Sequence, residues 1–277
     1  MEYSPRKMNE LLDSNNFKFK KKFGQNFIVD QNIIDKIIDS SGIDSNTMVI
    51  EIGPGAGSLT YKLACSSKSV LCYEIDESLR GILSSNLNGL SNVDVKFCDF
   101  LNADLNFDLK EYSYDKLYVV ANLPYYITTP IIMKIIEDKV PVDKIVVMVQ
   151  KEVGDRFKAL PGSRDYGSLS IFLNYYFDVV KLMDISRNIF IPKPNVDSIV
   201  VEFRKKKNVF SLKDEDLFFK LVRDSFRQKR KTLRNNLHDY DLSVIEDVLR
   251  RYGYDLSVRA EALSIDIFVD IANNLTK

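Results

Sequence analysis

Short apolar runs rich in β-branched residues recur along the first two thirds of the chain, and stretches with helical periodicity separate them. The runs at 47–52 (TMVIEI), 69–75 (SVLCYEI), 93–97 (VDVKF), 117–121 (LYVVA) and 143–149 (DKIVVMV) predict strands. The stretches 31–40, 58–66, 77–87, 129–138 and 151–159 predict helices. Strand alternating with helix is the pattern of an α/β protein, a parallel sheet covered on both faces. Two further strand-like runs follow at 178–185 and 197–203, after which helical periodicity takes over at 216–226, 243–253 and 264–275. That change predicts an α/β domain over 1–207, opened by a basic segment 1–30, and a small all-helical domain over 208–277.

In open α/β sheets ligands bind beyond the carboxyl ends of the strands, so the residues at those ends carry the chemistry. The first predicted strand runs into EIGPGAGSLT, the second ends at Glu74, the third at Asp99 and the fourth at Asn122. The steps from Gly53 to Glu74, to Asp99 and to Asn122 are 21, 25 and 23 residues, one strand–helix unit each. One sheet edge therefore offers glycines, two carboxylates and an amide. Gly53 and Gly55 allow a tight turn with close backbone approach to a ligand. No Lys-Ser/Thr pair follows them, so the turn is not a phosphate-cradling P-loop. Glu74 is the kind of residue that accepts hydrogen bonds from ribose hydroxyls, and Asp99 can accept one from an adenine amino group. Taken singly, either acid reads equally well as a loop or helix-capping residue.

Composition narrows the class. The chain has 277 residues, 45% of them hydrophobic and 28% charged, in the range of soluble globular proteins. Its apolar runs are too short to span a bilayer, and MEYSPRKMNELLD lacks a signal-peptide core. Cys65, Cys72 and Cys98 form no CxxC pair, which argues against a disulfide framework and a zinc site, so a cytoplasmic protein without a metal is expected. Net charge is zero, yet basic residues concentrate in KFKKKF (18–23), FRKKK (203–207) and FRQKRKTLR (226–234). Each run alone reads as a solvated face; three together suit a polyanionic partner.

Adenine and ribose without pyrophosphate describe S-adenosylmethionine, whose methyl group is already activated on a sulfonium. The single histidine, His238, falls in the helical tail. A methyl donor of this kind asks the protein to align donor and acceptor and to exclude water. NLPY at 122–125 suits an acceptor of one type, the exocyclic amino group of adenine. Its nitrogen lone pair is conjugated into the ring. Hydrogen bonds to the Asn122 side-chain oxygen and to the carbonyl of Leu123 or Pro124 would favour a tetrahedral nitrogen. Tyr125 is expected to stack on the base and Phe190 to meet its other face, with the base single-stranded or flipped out. A strand merely stopped by a proline is the alternative.

The motifs FGQNF (23–27), EIGPGAGSLT (51–60), YEID (73–76), NLPYYITTPI (122–131), MVQKEVGDRFKALPGSRDYGSLSIF (148–172), FIPKPNVDSIVV (190–201), FRQKRKTLRNNL (226–237) and RAEALS (259–264) occur in one order. In that order the chain resembles the ribosomal RNA adenine N(6)-dimethyltransferases from about residue 19 onward, and within them the bacterial small-subunit enzymes of the KsgA type. The resemblance implies a Rossmann-like class I methyltransferase sheet of seven strands, the last antiparallel, with a C-terminal helical domain that binds RNA. It implies dimethylation of two adjacent adenines in the 3′-terminal hairpin loop of 16S rRNA, in the immature 30S subunit; the sequence gives no oligomer signal, so a monomer is expected. Asn26, Ile28, Gly53, Gly55, Glu74, Asp99 and Asn122 match the family's contacts to S-adenosylmethionine. Asn122 to Tyr125 and Phe190 match the grip on the base. Lys229, Arg230, Lys231 and Arg234, with Arg227, are expected to contact phosphates from a helix whose Phe226, Leu233 and Leu237 face inward. Tyr126 departs from the family, where a second asparagine is usual. Two rival readings remain open at this level: the related 23S rRNA methyltransferases of macrolide resistance, and an assembly factor with idle chemistry.

Overall fold

The computed structural model describes residues 4–206 and 210–276. Nine strands are described: β1 (Phe27–Ile28), β2 (Thr47–Ile52), β3 (Ser69–Glu74), β4 (Val93–Phe97), β5 (Lys116–Asn122), β6 (Lys144–Gln150), β7 (Phe177–Ile185), β8 (Phe190–Ile191) and β9 (Ser198–Lys205). Seven of them form one sheet in the order β4-β3-β2-β5-β6-β9-β7. Every strand predicted from the pattern is present, within one residue at each end save the last, which runs on to Lys205. β2 is buried along its whole length, and β5 and β6 at all but their end residues. Continuous apolar strands of this kind belong in a parallel sheet covered on both faces. β4–β3, β3–β2, β2–β5 and β5–β6 are parallel, whereas β9 runs antiparallel to β6 from Lys144↔Arg204 to Gln150↔Ser198. This is the seven-stranded sheet, antiparallel at its last strand in sequence, that the resemblance implied. β7, at one edge, exposes Asp178, Lys181 and Asp184, charges that blunt an open edge.

The helices are α1 (Pro5–Ser14), α2 (Gln31–Ser41), α3 (Ser58–Ser66), α4 (Arg80–Asn86), α5 (Leu105–Asp108), α6 (Thr128–Glu137), α7 (Lys151–Phe157), α8 (Ser168–Tyr176), α9 (Glu215–Ser225), α10 (Leu233–Asn236), α11 (Leu242–Arg251) and α12 (Ile265–Leu275). Their starts are encoded locally. Asp30 accepts from the Asn32 and Ile33 amides at the head of α2, and Asp214 from the Leu217 amide at the head of α9. Among the described residues no helix is long and apolar enough to cross a membrane.

Neighbouring strands change direction of travel across the sheet between β2 and β5, and this reversal opens a crevice at their carboxyl ends. A second, two-stranded ribbon matters as much. β1 pairs antiparallel with β8, Phe27 opposite Ile191 and Ile28 opposite Phe190, which fixes the FGQNF segment beside that crevice. The strand pattern had assigned nothing to these four residues, because two-residue strands have no period to read.

The chain divides into two compact units. One runs to Lys151 and resumes over Val180–Arg204; the other takes Glu152–Val179 and the chain from Lys205. The expected edge at 207/208 falls among residues 207–209, outside the described ones, and residues 152–179, expected in the first domain, cluster with the helical tail. The reason lies in aromatic packing. Phe172 meets Phe219 at 4.9 Å and Tyr175 meets Phe218 at 5.2 Å between ring centres. The Tyr166 hydroxyl donates to the Leu263 carbonyl at 2.9 Å.

One expected helix is absent. Residues 226–230 form successive turns, and only Leu233–Asn236 is helical. Leu233 and Leu237 are buried as expected, but Phe226 is only half-buried at the end of α9. Asn236 Nδ2 takes up the Ser225 and Gln228 carbonyls at 2.7 and 3.2 Å, closing α9 where the pattern continued it. Five cations in eight residues would also repel one another on a helix.

Candidate active site

The strand ends converge on a cavity in the first unit, about 670 Å³ including its open mouth, lined by residues from five stretches of chain. Gly53 and Gly55 come from the turn after β2, Glu74 from the end of β3, Asp99 from the loop after β4 and Asn122 to Tyr126 from the corner after β5. Phe23 to Phe27 form a further wall. The size is that of an ordinary small-molecule site.

The glycine turn is built against this wall. Gly55 has φ of +60°, and a Cβ placed there would stand 2.8 Å from the Phe27 ring. Its amide donates to Glu74 Oε2 at 3.1 Å, and the Asp76 amide donates to Oε1 at 2.8 Å. Both oxygens are thus aimed by backbone, and each keeps a lone pair. Burial pushes the Glu74 carboxyl up to about 7, against the pull of those two amides. Beneath the turn, Glu51 is 2% exposed and burial raises its carboxyl to about 8. The Cys72 thiol donates to it at 3.6 Å.

Asn122 is held from one side only. Its Nδ2 donates to the Asn26 carbonyl at 2.9 Å, and since a carbonyl can only accept, this bond fixes which way the amide faces. Oδ1 is buried and has no partner. An orphaned buried acceptor on a cavity wall costs free energy that a donor-bearing ligand would recover. The Pro124 carbonyl already accepts from the Ile127 amide at 3.2 Å and from Thr128 Oγ1 at 3.1 Å. Of the two carbonyls that the sequence left open, Leu123 is therefore the one available to a ligand. Tyr125 is half-buried, its hydroxyl 2.7 Å from Ser198 Oγ. Asp99 caps the short turn after β4 through the Leu101 amide at 2.9 Å, and so fills the capping role while also lining the cavity.

Of the residues expected to contact the donor, Asn26, Gly53, Gly55, Glu74, Asp99 and Asn122 share this cavity. Ile28 lines a smaller adjoining void with Asn26, Glu51, Gly55, Ser58 and Asn122. Asn122, Leu123, Pro124 and Tyr125 are on the wall as expected. Phe190 is not. Its pairing with Ile28 turns the ring into the core, where it is 3% exposed and offers no face to a base. Phe23, Gln25 and Phe27 were missed as wall residues: the FGQNF motif was legible, but within it only Asn26 carried an expected role, and no local pattern places the other side chains. The cations Arg227, Lys229, Arg230, Lys231 and Arg234 lie in the second unit and are all exposed, with Lys229 Nζ donating to the Arg164 carbonyl at 2.6 Å.

A family model described as ribosomal RNA adenine dimethylase matches residues 16–277. The chain belongs to this family. It is 44% identical over 281 residues to the ribosomal RNA small subunit methyltransferase A of Bacillus mycoides (strain KBAB4), covering 98% of this chain and 96% of that one. It is likewise 44% identical over 294 residues to the protein of that name from Macrococcus caseolyticus (strain JCSC5402), covering 100% and 98%. Among solved structures, a dimethyladenosine transferase from Plasmodium falciparum matches with a TM-score of 0.73 and 26% identity over 88% of this chain and 95% of that one. The 23S rRNA methyltransferase ErmE matches with a TM-score of 0.69 and 24% identity over 91% and 100%, a likeness of fold. The membership accounts for a small-molecule cavity beside an amide with an unpaired acceptor.

Proposed function

We propose that this protein transfers methyl groups from S-adenosylmethionine to the exocyclic amino groups of two adjacent adenines in the 3′-terminal hairpin loop of 16S rRNA, acting as a cytoplasmic monomer on the assembling small subunit. The observation that carries the reading is the orphaned Asn122 Oδ1 at the wall of a cavity that Glu74 and Asp99 also line. The names of the small-subunit relatives favour 16S over 23S rRNA as the substrate.

The residues fit the donor. Glu74 suits the ribose hydroxyls, Asp99 the adenine amino group, and the Gly53–Gly55 turn a close approach that a side chain would block. When bound, S-adenosylmethionine supplies a methyl group on a sulfonium whose leaving group is a neutral thioether. The chain then has to hold the acceptor. For the first transfer Asn122 Oδ1 and the Leu123 carbonyl accept the two amino hydrogens, which draws the nitrogen toward a tetrahedral shape and frees its lone pair. As the nitrogen–methyl bond forms and the thioether leaves, the nitrogen releases one of these protons to solvent, and the second transfer proceeds with the one hydrogen that remains. Pro124 keeps the corner rigid, with its carbonyl tied into the first turn of α6. Tyr125 packs against the base, while Phe190 supports the wall from behind. Lys229, Arg230, Lys231 and Arg234 engage phosphates and so position the RNA without reading its sequence.

The test is methylation of small subunits purified from cells lacking this modification, with labelled donor. Label is expected at two adjacent adenines. Asn122→Ala is expected to lose about a hundredfold or more in turnover, the scale on which one fixed dipole at a reacting centre acts, while RNA affinity is kept. Near-normal turnover in that variant would refute the base grip, and subunit binding without label would leave only an assembly role.

A further inference from the structure

The segment 20–27, whose residues 23–27 line the cavity, is fastened at a group that has no assigned part in the reaction. This strap has little regular structure of its own, only a single-turn helix at Lys21–Phe23 and the first residue of β1. Asp76 fixes it. Lys20 Nζ lies 2.5 Å from Asp76 Oδ1 and 2.9 Å from Ser78 Oγ, and Gln25 Nε2 donates to Asp76 Oδ2 at 2.7 Å. The strap is also tied to itself, Gln25 Oε1 accepting from the Lys20 amide at 2.8 Å. Between these ties Gly24 lies against Tyr126, where a Cβ would stand 3.2 Å from the ring.

The other side of Asp76 faces the site. Its amide aims Glu74 Oε1, and its Oδ1 also accepts from the Ser78 amide at 3.0 Å and from Ser78 Oγ at 2.7 Å. The Asp76 side chain is 1% exposed, whereas that of Lys20 is 39% exposed. A carboxylate buried so completely must be met on both oxygens, or its desolvation goes uncompensated. Half of its partners come from a segment more than fifty positions away in sequence, so satisfying Asp76 and seating the strap are one event. Downstream in the same strap, the Asn26 carbonyl sets the Asn122 amide.

We propose that Asp76 is a positioning residue for the donor site: it fastens the strap 20–27 along the cavity while its own amide orients the Glu74 carboxylate. The inference rests on the reading of this cavity as the S-adenosylmethionine site. Loosening the strap removes one wall and weakens donor binding more than it slows a bound donor.

The experiment uses the full chain, with S-adenosylhomocysteine as probe. Two variants are compared with the wild type: Asp76→Ala, and Lys20→Met combined with Gln25→Leu, which unfastens the strap but leaves Asp76 capping Ser78 and aiming Glu74. Calorimetry reads probe affinity, and trypsin reads cleavage after Lys22, a site that all three proteins keep, with and without probe. Both variants are expected to bind the probe about tenfold or more weakly, the scale of a small misplacement of a positioning group. They are also expected to lose probe protection of the strap and to raise the donor KM more than they lower kcat. If the Lys20/Gln25 variant binds the probe and resists trypsin as the wild type does, Asp76 is only a helix cap and the inference is overturned, whether or not Asp76→Ala folds. If the wild type itself fails to bind the probe, the reading of the cavity falls and this inference with it.

Discussion

Replacing Gly55 by alanine measures how closely the glycine turn is built against the strap. At φ of +60° a side chain costs roughly 1–2 kcal/mol in backbone strain. The new Cβ would also stand 2.8 and 2.9 Å from Phe27 Cε1 and Cδ1, well inside ordinary contact. Phe27 cannot swing aside freely: it is 7% exposed and packs against Phe17 and Phe19 at 5.8 and 5.3 Å between ring centres. Overpacking of this kind costs about 1–3 kcal/mol. The stiffer unfolded chain offsets about 0.4–1 kcal/mol. The net loss is therefore about 1–5 kcal/mol, a fall in melting temperature of about 2–20 °C for a unit of this size. Because the Gly55 amide also aims Glu74, S-adenosylhomocysteine affinity should drop about tenfold, equivalent to about 1.4 kcal/mol. Differential scanning calorimetry and titration calorimetry read the two effects. Adding Phe27→Leu to Gly55→Ala should recover part of the stability, with a coupling of about 1 kcal/mol in a double-mutant cycle. A Gly55→Ala protein that melts with the wild type and binds the probe equally well would refute the close packing of turn and strap.

The two buried carboxyls predict a pH dependence. Burial raises Glu74 to about 7 and Glu51 to about 8, so the folded protein holds protons that the unfolded chain, with carboxyls near 4.5, has already lost. Their contribution is fully present below about pH 4.5 and is lost as pH rises through 7 and 8, so the melting temperature should fall between about pH 5.5 and 8.5. Glu51→Gln should flatten the upper part of that fall, and a steady rise across the range would contradict the burial argument. Donor-site affinity should move oppositely, because ionised Glu74 is the better acceptor; titration calorimetry at a series of pH values checks this. Changing Lys229, Arg230 and Lys231 together to Glu should weaken small-subunit binding at moderate salt and reduce the steepness of its salt dependence by about one unit per lost phosphate contact. Probe affinity should stay unchanged, and sedimentation of subunit complexes at several salt concentrations decides the matter.

Much of this molecule is legible in its sequence. The central strands β2, β5 and β6 follow from runs of apolar residues, since a strand buried on both faces has to be apolar nearly throughout, while the edge strands β4 and β7 keep the β-branched runs but mix in charges. The positions of Gly53, Glu74, Asp99 and Asn122 follow from the regular length of a strand–helix unit, which brings each strand end to the same sheet edge. Local chemistry is written locally, as in the caps at Asp30 and Asp214.

Other features depend on pairings between residues far apart in the chain, and no local pattern encodes those. Phe190 looks like a base-stacking ring until β8 pairs with β1 and turns it into the core. Of the Leu123 and Pro124 carbonyls, the latter is already taken up by Ile127 and Thr128. Segment 152–179 joined the helical unit because its aromatic rings found partners on α9. The basic stretch after α9 has helical spacing yet is a series of turns, since Asn236 ends the helix and like charges would crowd it. Periodicity in the sequence thus determined the strands and the edge where chemistry can occur. Tertiary structure decided which groups are left unpaired there, because an orphaned oxygen is defined by every partner that could have reached it and did not.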